Sequence, residues 1–105
     1  MKRAFSLVLL LLPVVTLAAE EIPLVIKNHH FDPAELRVPP GQKLKLAIRN
    51  LDDTPEEFES YQLNREKVIG AGQSASIYIG PLKPGRYPFF GEFHEDTAKG
   101  VIVVE

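Results

Sequence analysis

Hydrophobic and polar side chains alternate along most of the chain from Leu24 onwards. The clearest stretch is 42–49, in which Leu44, Leu46 and Ile48 are separated by Lys or Ala side chains. A period of two is typical of a β-strand that has one face on a core and one in solvent. Shorter stretches of the same kind predict further strands at residues 24–28, 36–38, 58–61, 67–69, 74–79, 87–93 and 101–104.

Turn-forming residues separate these stretches at regular intervals. They are Pro39-Pro40-Gly41, the polar run 50–55, Gly70-Ala71-Gly72, Gly80-Pro81 and Pro84-Gly85. Seven or eight short strands with turns every 8–12 residues or so predict an all-β fold, a Greek-key antiparallel β-sandwich, in one domain. No segment has a sustained helical period, although residues 55–59 are compatible with a single helical turn.

The first nineteen residues have the pattern of a secretory signal peptide. Lys2 and Arg3 precede an apolar run, and small residues at 16–19 offer a cleavage site. Pro13 interrupts the run, which is shorter than the roughly 20 residues of a membrane-spanning helix. We therefore predict a leader at 1–19, a mature domain at 20–105 without a membrane span, and export of the protein.

The amino-acid composition excludes several kinds of metal site, crosslink and function. The chain has no cysteine and one methionine, Met1, so the mature domain contains no sulfur. Disulfide scaffolds, thiolate zinc sites and iron–sulfur clusters are excluded. The formal charge of −2 falls to −4 without Lys2 and Arg3, so no basic excess favours nucleic-acid binding. The few serine and histidine residues form no recognisable nucleophile elbow, which argues against a hydrolase.

The order of several short motifs resembles the cupredoxin family. The motifs are Phe31-Asp32-Pro33, Val38-Pro39-Pro40-Gly41, a strand ending in Asn50, the segment 82–89, His94 and the final Gly100 to Val104. The segments Pro55 to Ser60 and Phe90 to His94 more closely resemble the cupredoxin-like proteins that accompany bacterial periplasmic iron-uptake permeases. This resemblance implies a metal site in the loops at one end of the sandwich and a periplasmic location. It also implies an inner-membrane iron permease and a periplasmic iron-binding protein as partners, and a role in Fe(II) oxidation or transfer.

The chain departs from blue-copper cupredoxins at their sulfur ligands. Gly91 stands where the resemblance places the copper-binding cysteine, and Ala98 or Lys99 stands at the axial methionine. Glu56 replaces the first histidine, whereas His94 matches the second. Without a thiolate, a type 1 copper centre and rapid electron transfer are excluded.

The remaining candidate ligands are nitrogen and oxygen donors: His94, Glu56, Glu57, Glu59 and His29. If Phe58 faces the core, Glu57 and Glu59 share the opposite face and Glu56 lies on the side of Phe58. Alternation alone leaves open which carboxylate meets a metal. His29, two residues before Phe31, would share its strand face, and His30 would point away.

Carboxylates and imidazoles suit copper(II) or iron and disfavour copper(I), so a copper(I) chaperone ranks lower. The sequence therefore predicts a copper- or iron-binding auxiliary of ferrous-iron uptake. The competing interpretation is a metal-free sandwich that acts as a protein-docking module of a transport complex.

Overall fold

A computed structural model describes residues 11, 12 and 19–105, and places nine strands between Glu20 and Val104. The predicted leader, residues 1–19, lies outside the described part of the chain except at Leu11, Leu12 and Ala19. The strands are β1 Glu20–Lys27, β2 His30–Asp32, β3 Glu35–Val38, β4 Leu44–Asn50, β5 Glu56–Ser60, β6 Arg65–Ile69, β7 Ser74–Ile79, β8 Gly85–Gly91 and β9 Lys99–Val104. Across the described residues there is no helix of the length and hydrophobicity needed to span a bilayer.

The strands form two sheets that pack face to face. One sheet has the order β2-β1-β4-β7, and the other has the order β3-β9-β8-β5-β6. Neighbouring strands pair antiparallel except for β1 with β4 and β3 with β9, which are parallel. The structure thus confirms the predicted all-β sandwich.

The core lies between the sheets and follows the alternation of the sequence. Leu44, Leu46 and Ile48 on β4 are all at most 1% exposed. In the opposite sheet, Phe58 of β5 and Phe89 of β8 stack with their ring centroids 5.1 Å apart. Full burial of one such side chain contributes about 1.5–3 kcal/mol, so this face fixes the register of each strand.

Two local details differ from the sequence expectations. Residues 55–59 contain no helical turn, because Glu56–Ser60 pairs with β6 on one side and β8 on the other. The aromatic strand stops at Gly91, and Glu92–His94 forms one turn of 3-10 helix. This turn, the β1–β2 turn and the β4–β5 loop together form the end of the sandwich that holds the candidate site.

Candidate metal centre

Asn50 organises the loop that leads into Glu56. It is fully buried at the end of β4, and its side-chain amide donates to the carbonyl oxygens of Thr54 at 2.9 Å, Ile69 at 3.1 Å and Gly70 at 3.3 Å. Its side-chain oxygen accepts from the backbone N–H of Asp52 at 3.0 Å. One side chain therefore ties this loop to the end of β6 and fixes where β5 begins.

Glu56 is a buried carboxylate at the start of β5. It is 1% exposed, and its Oε1 accepts the backbone N–H of Glu57 at 3.0 Å and of Phe93 at 2.9 Å. Its Oε2 lies 2.5 Å from Nδ1 of His94. A polar group at this depth needs hydrogen-bond partners, and both carboxyl oxygens of Glu56 have them.

Gly91 provides the space that the Glu56 carboxyl group occupies. A Cβ atom at position 91 would lie 2.6 Å from Cδ of Glu56 and 2.6 Å from Cβ of Ala98. Real Cβ atoms do not approach other heavy atoms so closely, and Ala98 is fully buried. The region where the resemblance places cysteine and methionine is thus filled by a carboxyl group and a methyl group.

His94 ends the 3-10 turn and is partly accessible. Its side chain is 25% exposed, and its carbonyl oxygen accepts the N–H groups of Thr97 and Ala98 at 3.2 and 2.8 Å. Its ring stacks on that of His29, with centroids 3.5 Å apart and an angle of 12° between the planes. An open depression of about 490 Å³, lined by His29 and residues 92–97, leads from solvent to these rings.

His29 is held by a turn, not by a strand. Asn28 and His29 have positive φ values of 52° and 59°, and β2 begins only at His30. The Asp52 carboxylate accepts both of their N–H groups, at 2.7 and 3.0 Å. Although burial acts to raise the pKa of Asp52, these donors and the nearby imidazoles hold it below its ordinary value. The Thr97 hydroxyl donates to the His29 carbonyl oxygen at 2.6 Å.

Glu57 and Glu59 lie on the opposite face of β5, on the outside of the sandwich. Together with Glu92 they are the one group of three or more His, Cys, Asp or Glu among the described residues whose ligand atoms all lie within 4.8 Å of one another. A hydrogen bond with Glu92, partial burial and like-charge repulsion raise the pKa of Glu59 to about 7. Partial burial and Glu92 also raise the pKa of Glu57.

The structure thus divides the five candidate ligands into two places. It brings Glu56, His94 and His29 together at the loop end, and it puts Glu57 and Glu59 on the outer sheet face. The expected alternation around Phe58 is confirmed, with Glu56 on the buried side. His29 reaches the site through the turn and not along a strand face, so that part of the prediction was wrong. His30 is exposed, and its Nδ1 lies 2.7 Å from the Asn28 carbonyl oxygen.

Sequence reasoning did not assign the residues that hold these side chains in place. They are Asn50, Asp52 and Thr97. Asn50 ended a predicted strand and was part of the cupredoxin-like pattern, so its position in the sequence could have pointed to its structural role. Asp52 and Thr97 act across sequence separations of 23 and 68 residues, for which a single sequence has no signal.

Two packed sheets with a histidine and a carboxylate among the loops at one end define a protein of the cupredoxin class. A family model of the cupredoxin-like domain matches residues 3–104, nearly the whole chain. The chain therefore belongs to the cupredoxin-like domain family.

The chain is also similar to individual proteins and solved structures. An uncharacterised protein of Rickettsia prowazekii is 50% identical over 84 residues, which cover 80% of this chain and 67% of that protein. The metal-binding domain of the Cu(I)-exporting P-type ATPase of Streptococcus pneumoniae superposes with a TM-score of 0.75 at 16% identity, over 87% of this chain and 90% of the other. Auracyanin A, a blue copper protein of Chloroflexus aurantiacus, gives 0.73 at 15% identity, over 84% and 100%. At these identities, the two solved structures show a shared fold.

Proposed function

We propose that this protein is a periplasmic metal-binding protein that holds copper or iron at the Glu56–His94 pair and assists ferrous-iron uptake. The observation that carries the proposal is the Glu56 carboxylate, 1% exposed and 2.5 Å from an imidazole nitrogen. Buried charges in proteins are paired or coordinate metals. The pair lies at the end of the sandwich where the family resemblance places a metal.

The donor set fits a nitrogen- and oxygen-bound metal and does not fit a type 1 copper. Oε1 of Glu56 accepts two backbone N–H groups, so a metal would bind Nε2 of His94, or would take Oε2 and Nδ1 in place of the hydrogen bond that joins them. Such donors suit copper(II), iron(II) and iron(III). Bound copper or iron would supply one-electron redox chemistry.

The chain's own residues orient and expose this donor set. Glu56 and the stacked His29 ring fix the plane of the His94 imidazole, as carboxylates beside ligating histidines commonly do. Glu92, Glu95 and Asp96 line the depression in front of it and raise the local concentration of cations such as substrate iron(II).

Calorimetric titration of the chelator-treated protein with copper(II), and with iron(II) under nitrogen, tests the site. We expect His94→Ala to weaken binding, and Glu56→Gln to weaken it about 10- to 100-fold. His30→Ala is the matched control, since His30 lies outside the pair, and it should bind like the wild type. A Glu57→Gln/Glu59→Gln variant shows whether the outer carboxylates contribute. Wild-type binding no tighter than millimolar, or a His94→Ala variant that binds normally, contradicts the proposal.

The role in iron uptake is tested separately. Restoration of iron uptake to a deletion strain by wild-type protein, but not by folded His94→Ala, supports an auxiliary role with an inner-membrane permease and a periplasmic iron-binding protein. Oxygen consumption with iron(II) and copper-loaded protein tests assisted oxidation. If the rate equals that of the same amount of free copper, the protein is not an oxidase.

A metal-free docking module of a transport complex is the second candidate, and one observation favours it. Every buried side-chain nitrogen and oxygen in the described part of the chain has a hydrogen-bond partner, so the site is complete without an ion. A His94→Ala variant that folds and fully supports iron uptake would favour this function over metal binding.

A further inference from the structure

Acidic and aromatic side chains share one end of the outer face of the five-stranded sheet. The register pairs Glu59 with Glu66 on β6 and with Phe90 on β8, and pairs Glu57 with Val68. Glu92 lies against Glu57 and Glu59, and Tyr61 follows β5 directly. We name this surface the acidic-aromatic face, formed by Glu57, Glu59, Tyr61, Glu66, Val68, Phe90 and Glu92.

The apolar part of the acidic-aromatic face is open to solvent. Tyr61 is 73% exposed and Val68 is 53% exposed. The Tyr61 ring lies 5.5 Å from that of Phe90, which itself is half-buried. Grouped exposed apolar side chains rimmed by polar ones mark interaction sites, and tyrosine is among the residues that dominate binding energy at interfaces.

Carboxylates outnumber cations around these aromatic rings, although Lys99 lies opposite Phe90 and Arg65 lines the same pocket as Tyr61 and Glu59. Glu59 lies directly opposite Glu66, an arrangement that destabilises a sheet. The ligand oxygens of Glu57, Glu59 and Glu92 lie within 4.8 Å of one another. Within residues 19–105, no salt bridge joins any of these four carboxylates to a cation. The hydrogen bond between Glu59 and Glu92 relieves part of this repulsion, and a cationic surface placed here would relieve the rest.

A second copy of the chain is a poorer occupant than a different protein. Two acidic-aromatic faces repel each other. The outer face of the other sheet is mainly basic, with Lys27, Lys45 and Arg49 on the side of β1 and β4 opposite the core. A contact between this basic face and the acidic-aromatic face of the next copy would be head-to-tail and would not close by two-fold symmetry.

We propose that the acidic-aromatic face docks a partner protein through a surface rich in lysine and arginine, with an apolar side chain of that partner over the Tyr61–Phe90 pair. Charge complementarity steers the encounter and fixes the partner's orientation, and the aromatic pair supplies the desolvated centre of the contact. The inference does not depend on a metal at Glu56 and His94. Glu56 lies on the buried side of β5, whereas Glu57 and Glu59 lie on its outer side. Glu92 belongs to the same 3-10 turn as His94 and also lines the depression in front of it.

Nuclear magnetic resonance of ¹⁵N-labelled protein in excess chelator tests the docking surface, because the chelator separates it from any metal binding. The probe is a blocked twelve-residue peptide of lysine and leucine, and a glutamate-for-lysine version is the control peptide. We expect shifts confined to the neighbourhood of Glu59, Tyr61 and Phe90, and none with the control peptide. Shifts that are centred elsewhere, or absent, overturn the proposal.

Charge-matched variants separate docking from general attraction. At pH 8, where Glu59 with its pKa of about 7 is mainly ionised, Glu57→Gln/Glu59→Gln/Glu92→Gln should weaken the peptide affinity roughly tenfold or more, since three charge contacts are lost. Glu20→Gln/Glu21→Gln/Asp53→Asn changes the net charge equally at exposed sites elsewhere and should have a much smaller effect. Equal losses in both variants overturn the proposal.

Three further measurements complete the test. Tyr61→Ser leaves the charge unchanged and should still weaken binding; unchanged affinity would overturn the aromatic part of the proposal. Removal of mutually repelling carboxylates does not weaken the fold, so thermal unfolding will distinguish lost binding from lost structure. Sedimentation of the protein alone should show a monomer, and self-association through the acidic-aromatic face would overturn the proposal of a different protein as partner.

Discussion

Replacement of Glu56 by alanine should strongly destabilise the metal-free protein. The substitution removes the acceptor of two backbone N–H groups, those of Glu57 and Phe93, and the partner of the His94 ring. It also empties the space that the side chain fills beside Gly91 and Ala98. The perturbation therefore combines unsatisfied polar groups with a cavity at one point.

The magnitude follows from those contacts. A buried donor left without an acceptor costs about 1–3 kcal/mol, and both N–H groups are only partly buried, so the lower half of the range applies to each. Loss of the imidazole contact and of the packed side chain adds about 1–2 kcal/mol. We expect Glu56→Ala to lower the free energy of unfolding by about 3–6 kcal/mol in total. Glu56→Gln keeps the volume and one carbonyl oxygen, and should cost only about 1–2 kcal/mol.

Urea unfolding followed by circular dichroism, in the presence of chelator, measures both values. With an m-value of about 1.5 kcal/mol per molar urea, the midpoint for Glu56→Ala should fall by about 2–4 M. Glu57→Ala, one position along on the outer face, is the control and should change the midpoint little. If Glu56→Ala loses less than about 1 kcal/mol, or no more than the control, the buried hydrogen-bond network does not stabilise the fold as argued.

Three further expectations test other parts of the structure. Gly91→Ala should cost about 1–3 kcal/mol in the same urea assay, because its Cβ would lie 2.6 Å from the Glu56 carboxyl carbon; an unchanged midpoint would contradict this. Asn50→Ala should cost about 2–4 kcal/mol and lower the melting temperature, because three carbonyl oxygens and one N–H lose their partner. A cost near zero would show that Asn50 does not organise the loop. The pKa of Glu59 is raised from 4.5 to about 7, so the folded protein binds more protons than the unfolded chain between these values, and stability should fall as pH rises through that window. Melting temperatures from pH 4.5 to 8 should show this fall in the wild type and a smaller one in Glu59→Gln, and identical profiles would contradict the assignment.

Most of the fold could be predicted because one physical signal repeats along the chain. Leu44, Leu46 and Ile48 alternate with polar residues, and the buried face of β4 consists of those three with Asn50. Residues 55–59 were compatible with a helical turn but form a strand, because propensity in a short polar segment is weak. Pairing with strands on both sides decided its conformation.

The candidate site could be predicted only in part. Alternation around Phe58 correctly separated Glu56 from Glu57 and Glu59, but it could not show which of these carboxylates lies near the histidines at the loop end. His29 was expected on a strand, whereas two positive φ angles and the Asp52 carboxylate hold it in a turn. Such a contact joins residues 23 positions apart, and a single sequence carries no local pattern for it.

The carboxylate at position 56 and the glycine at position 91 depend on each other. Any side chain at 91 would meet the Glu56 carboxyl group and the Ala98 methyl group at less than contact distance. Conversely, a smaller residue at 56 would leave a cavity and two unpaired N–H groups. A cysteine at 91 would therefore have to displace Glu56 or Ala98, at a cost in stability. The packing at position 91 thus favours the carboxylate over a thiolate, and the donors present beside it for a metal are nitrogen and oxygen.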